Sequence, residues 1–95
     1  MLFRSIIMAR INGAGASLSL QIARMLENIR KEELRKVPGV AETLDWAAAL
    51  VGIGVQDLHD APEAVHETLM CLLKTHEDRS RVTREVTERL LGKVA

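Results

Sequence analysis

Ninety-five residues make one domain at most, and a lone cysteine, Cys71, excludes an internal disulfide and fits a reducing compartment. Lys and Arg equal Asp and Glu at thirteen each, which disfavours a nucleic-acid surface, and no apolar run approaches the about 18 residues needed to span a membrane. Phe3 and Trp46 are the only aromatic side chains, so any core must be built from Leu, Ile, Val, Ala and Met.

The charge is unevenly spread. Residues 1–40 carry seven Lys/Arg against three Asp/Glu, and residues 41–95 carry six against ten. This suits complementary helices docking within one domain, or a surface facing a larger body. At the N-terminus, Arg4, Arg10 and Arg24 occur without an acid before Glu27, which loosely fits a transit peptide. The alternative is that Leu2–Arg10 is the tail of a helix cut off where the chain begins, a short helical piece with Phe3, Ile6, Ile7 and Arg10 on one side. Asn12-Gly13-Ala14-Gly15-Ala16 reads as a connector. It is no phosphate loop, because neither Gly-Lys-Ser/Thr nor a preceding strand accompanies it.

Ser17 reads as an N-cap. Leu18, Ile22, Met25, Leu26 and Ile29 then form an apolar stripe at helical spacing, predicting a first long helix from about Ser17 to Arg35. Its basic C-terminal end, Arg30-Lys31 and Arg35-Lys36, suits the helix dipole. Pro38-Gly39 forces a turn. A second helix runs from about Val40 to Val51, with Thr43, Trp46, Ala47 and Leu50 on one face and Glu42 and Asp45 in its first turns. Gly52-Ile53-Gly54 ends it, and Val55–His59 is a connector.

Asp60-Ala61-Pro62-Glu63 predicts a helix start, with Asp60 as cap, Glu63 completing a capping-box-like pair and Pro62 in the first turn. Val65, Leu69, Leu72, Leu73 and His76 mark the buried side of this third helix. A fourth begins near Asp78 or Ser80, with the stripe Val82, Val86, Leu90 and a stop at Gly92. Arg81/Glu85, Arg84/Glu88 and Glu85/Arg89 are opposite charges one helical turn apart. No period-2 alternation of useful length occurs. The expected fold over residues 1–95 is therefore a single all-α domain, a small antiparallel bundle of four main helices plus a short N-terminal one.

Chemistry-bearing residues are sparse. His59, His66 and His76 lack the spacing of a metal site, so no metal is expected and they read as surface or boundary histidines. Cys71, between apolar neighbours, reads as a buried small hydrophobe. Glu42 and Asp45 suit a helix N-terminus better than an acid/base pair, because no nucleophile or oxyanion site accompanies them. Asp78 beside Arg79 and Arg81 reads as a capping and salt-bridge cluster.

The segment Pro38-Gly39-Val40-Ala41-Glu42-Thr43-Leu44-Asp45-Trp46-Ala47 resembles part of the C-terminal helical lid of MoxR-type AAA+ ATPases. Leu72-Leu73-Lys74-Thr75-His76-Glu77-Asp78-Arg79-Ser80-Arg81-Val82 looks like the family's leucine, lysine, basic, Glu-Asp run. Ala9–Ala14 and Gln21-Ile22-Ala23 look like the loop and helix that open the same lid. The resemblance implies a lid that packs on a nucleotide-binding AAA+ core domain and on neighbouring ring subunits. It also implies ATP and Mg²⁺ bound by that core, and remodelling of partner proteins, often ones with von Willebrand A domains, in the cytoplasm. The phosphate loop, Mg²⁺ ligands and catalytic acid of such a core are not in this chain, so no ATPase activity is expected from it alone and no catalytic residue is assigned. Val40, Glu42, Thr43, Asp45 and Trp46 are carried over as the nucleotide-cleft side of the lid. The chain departs from the family's pattern at Thr43, near the place of the lid arginine, and at Ala48, where relatives carry a basic residue. The competing expectation is a free-standing helical interaction module, which binds a partner helix in a groove and has no nucleotide role.

Overall fold

The structure, a computed structural model, describes residues 15–94. The expected helix over Leu2–Arg10 lies outside the described residues. Five α-helices follow one another: α1 (Ala16–Arg30), α2 (Val40–Gly52), α3 (Pro62–Leu72), the six-residue α4 (His76–Arg81) and α5 (Arg84–Gly92). A 3-10 turn, Leu58–Asp60, precedes α3. Among the described residues there is no strand, and the fold is the expected all-α bundle. Helix α2 packs on α3, α3 on α5, and α1 on both α2 and α5.

The apolar stripes explain this packing. Leu18, Ile22, Met25, Leu26 and Ile29 of α1 are buried, as are Thr43, Trp46, Ala47 and Leu50 of α2 and Val65, Leu69 and Leu72 of α3. The apolar ones meet in one core, with Leu73, Val82, Leu90 and Leu91 completing it. Fully burying a side chain of this kind contributes roughly 1.5–3 kcal/mol before entropy is counted. The connector Val55–His59 joins the same core through Val55 and Leu58.

Several boundaries differ from the sequence-based expectation. Helix α1 starts one residue earlier, with Gly15 at the N-cap position, and Ser17 lies exposed in its first turn rather than capping it. It also stops at Arg30 rather than Arg35. Pro38 disfavours helical backbone just before it, and the N–H groups of Arg35 and Lys36 turn instead to the Asp78 carboxylate, at 2.7 and 3.0 Å. Asp60 does not cap α3. It belongs to the 3-10 turn, whose cap is Asp57, and Ala61 stands at the N-cap of α3 with Pro62 following it.

The expected fourth helix is two helices. Two threonine hydroxyls cap them: Thr75 Oγ1 accepts from the Asp78 N–H at 3.1 Å, and Thr83 Oγ1 accepts from the Val86 N–H at 3.3 Å. Thr83 competes for the backbone that one continuous helix would need. His76, expected on the buried side of α3, is exposed in the first turn of α4. Three of the four arginines of α4 and α5 pair with acids across elements instead of along one helix, Arg81 with Glu33, Arg84 with Glu63 and Arg89 with Glu32, while Arg79 Nε donates to the Leu73 carbonyl.

Candidate functional site

A turn and a groove frame the segment that carries the family resemblance. Pro38 is buried, while Val37 and Val40 stand 41% and 47% exposed on either side of the Pro-Gly turn. The turn is fixed from beneath by Asp78. This carboxylate is buried, yet it accepts the two backbone N–H groups of Arg35 and Lys36 and belongs to the capped first turn of α4. Burial works against its ionised form. The N–H groups, Thr75 and the Arg81 charge outweigh burial and hold the carboxyl below the usual carboxylate range.

From the turn, α2 runs along α3 and the two helices leave a groove of about 180 Å³. Glu42, Asp45, Trp46 and Ala49 line it from α2; Thr68, Cys71 and Leu72 line it from α3, with Lys74 beyond. Trp46 forms its floor. The indole is only 2% exposed, and its Nε1–H donates to Thr68 Oγ1 at 2.8 Å. The Thr68 hydroxyl in turn donates to the carbonyl of Ala64 at 2.7 Å, so the donor chain is satisfied at each link. Glu42 folds back over the turn: its Oε2 lies 3.0 Å from where a Cβ on Gly39 would sit.

The five residues carried over from the family therefore separate. Glu42, Asp45 and Trp46 share the groove. Val40 lies outside it, exposed at the helix start. Thr43 is buried, and its hydroxyl donates to the carbonyl of Gly39 at 2.7 Å. The Thr43 hydroxyl is thus spent on fixing the turn. Cys71 corrects the sequence reading, because it is exposed and lines the groove. A period-3.6 count from Leu69 and Leu72 puts position 71 off the core face, so its apolar neighbours in sequence misled.

The groove does not suit a phosphate group. It presents the carboxylates of Glu42 and Asp45, and only Lys74 is basic. Nor do metal ligands gather: among the described residues, no group of three or more His, Cys, Asp or Glu is placed to hold an ion. No helix among them is long and apolar enough to cross a membrane.

A second polar cluster joins α1, the 3-10 turn and α5. The Gln21 amide donates to Asp57 Oδ1 at 3.0 Å, and Gln21 Oε1 accepts the Leu58 N–H at 2.9 Å. The backbone N–H of His59, then the Gln21 amide, keep the Asp57 carboxyl below its ordinary range. His66 Nδ1 lies 2.7 Å from Thr87 Oγ1, a contact between α3 and α5. No protein-family model, curated protein or solved structure matches the chain.

Proposed function

We propose that the chain is the helical lid of a MoxR-type AAA+ ATPase, working in the cytoplasm on a nucleotide-binding core and the neighbouring subunits of a ring. In that role it couples ATP binding and hydrolysis by the core to ring assembly and to remodelling of partner proteins, von Willebrand A domain proteins among them. One observation supports this above the rest. The Pro38–Trp46 segment, which carries the resemblance, is the turn and leading half of a single helix, with exposed Val37 and Val40 at its entry. An apolar, outward-facing corner on a rigid helix is what a lid needs to sit against another body.

The chemistry of the groove favours mechanical coupling over phosphate contact. Thr43 is committed to the Gly39 carbonyl, and Glu42 and Asp45 would repel a triphosphate. On this reading α2 reports the position of the core, and the nucleotide is held by groups outside this chain.

The test is the fluorescence of Trp46, the only tryptophan. ATP and Mg²⁺ are titrated into the chain alone and into its mixture with a separately expressed MoxR-type core. A response in the mixture and none in the chain alone is expected. A flat signal from a mixture shown to associate would sink nucleotide coupling through α2. It would leave the second reading, an interaction module whose α2–α3 groove, floored by Trp46, Ala49 and Leu72, receives a partner side chain.

A further inference from the structure

His59 has acceptors on both sides of its ring. Nδ1 lies 3.1 Å from Asp57 Oδ1, and Nε2 lies 3.1 Å from the carbonyl of Leu91 and 2.9 Å from that of Val94. A carboxylate and a carbonyl can only accept. A neutral imidazole has one N–H, so it satisfies one side and turns a lone pair on the acceptor at the other. The imidazolium satisfies both sides at once. The geometry is complete only with two ring protons.

The surroundings lean the same way. From the 3-10 turn, Asp57 faces the ring, with Asp60 exposed on the same turn. From α1 comes Gln21, which is neutral and occupied with Asp57 and the Leu58 N–H. From the last turn of α5 comes the Leu91 carbonyl and from just beyond it that of Val94, at a helix end where the dipole favours a cation, with the exposed Lys93 between them. Burial opposes charging of the ring. Asp57 and the two carbonyls outweigh it and raise the pKa above that of an ordinary histidine.

We propose that His59 is a proton-operated latch: carrying both ring protons it ties the 57–60 turn to the C-terminal end of α5, and on losing one it can hold only one side of that tie. The network makes this more than a local contact. Asp57 is held by α1 through Gln21, so the latch fixes the end of α5 against two other elements together. Its operating range lies at and above the ordinary histidine value of about 6.5, within the physiological window. The latch does not depend on the lid reading.

The test is an NMR titration of the whole chain between about pH 5 and 8.5, following the His59 ring and the backbone amides of Lys93 and Val94. Those amides bond to the carbonyls of Leu90 and Leu91 and so report the helix end. The His59 midpoint is expected above about 6.5, with both amides moving at the same midpoint. Asp57→Asn removes the charge and is expected to lower that midpoint by roughly half a unit or more. His59→Gln keeps one donor and is expected to erase the amide transition. A midpoint at or below the ordinary value, or amides that titrate unchanged in His59→Gln, overturns the latch. Should His59→Gln fail to fold, the wild-type midpoint and its displacement in Asp57→Asn decide the matter alone.

Discussion

Removing the Asp78 carboxylate is expected to loosen the entry to α2 and cost the domain a large share of its stability. Asp78→Ala deletes the acceptor of two backbone N–H groups, those of Arg35 at 2.7 Å and Lys36 at 3.0 Å. A buried donor left without a partner costs about 1–3 kcal/mol. Arg35 and Lys36 are exposed while their acceptor is buried, so the low end of that range applies to each and the total is roughly 2 kcal/mol. Asp78→Asn keeps one acceptor oxygen and is expected to cost about half as much. Urea unfolding followed by Trp46 emission measures this, since the indole is buried in the folded state. With a slope near 1 kcal/mol per molar urea for so short a chain, Asp78→Ala shifts the midpoint by about 2 M.

The pH dependence supplies a second reading of the same residue. The folded-state pKa of Asp78 is lowered, so its contribution is present above the unfolded value of about 3.9 and is lost as pH falls through the folded value. The gap between wild type and Asp78→Ala should therefore narrow below about pH 4. A cost under about 1 kcal/mol at neutral pH refutes the idea that this carboxylate holds the turn, as does a gap that stays constant into acid.

Three further expectations follow from single residues. Trp46→Phe removes the donor to Thr68 Oγ1 and some buried volume, and should lower stability by about 1–2 kcal/mol in thermal unfolding watched by circular dichroism. Gly54 has φ +87° with open space where a Cβ would go, so Gly54→Ala meets no clash and carries only the backbone penalty, about 1 kcal/mol by denaturant titration. Cys71 is exposed, and its thiol should react with a maleimide in the folded protein within severalfold of the rate in urea; protection by orders of magnitude would contradict the groove geometry.

The apolar periodicity made the bundle legible from sequence. Ile22, Met25, Leu26 and Ile29 on α1, and Trp46, Ala47 and Leu50 on α2, are buried where the 3.6-residue spacing puts them. Periodicity fails where a polar side chain from a distant element decides the backbone. Nothing near Arg35 in sequence announces that its N–H will go to Asp78, 43 residues away, and so α1 was expected to run on to Arg35. The break before α5 was closer to readable, because Thr75 and Thr83 are both good N-caps; the stripe Val82, Val86, Leu90 masked it by spanning both pieces. At the candidate site, Glu42, Asp45 and Trp46 lie i, i+3, i+4 on one helix, so their shared face was legible. The other wall was not, because only packing brings Thr68 and Cys71 to it.

The polar contacts of this domain divide by burial, and the division says which of them set its shape. The ion pairs Arg35–Glu77, Arg81–Glu33 and Arg84–Glu63 join side chains that are all more than half exposed. Pairs of that kind contribute between nothing and about 1 kcal/mol each, and salt screens them. Their count is no measure of stability. Asp78, Gln21 and Thr68 behave differently. Each reaches out of its own element to a backbone or side-chain group in another: Asp78 to the turn before α2, Gln21 to the 3-10 turn, Thr68 to the indole of α2. A wrong registry would leave those groups buried and unpaired, which is far costlier than losing an exposed ion pair. Apolar burial is non-directional. These three contacts are directional, and two of them act on α2, the helix whose entry and face carry the proposed function.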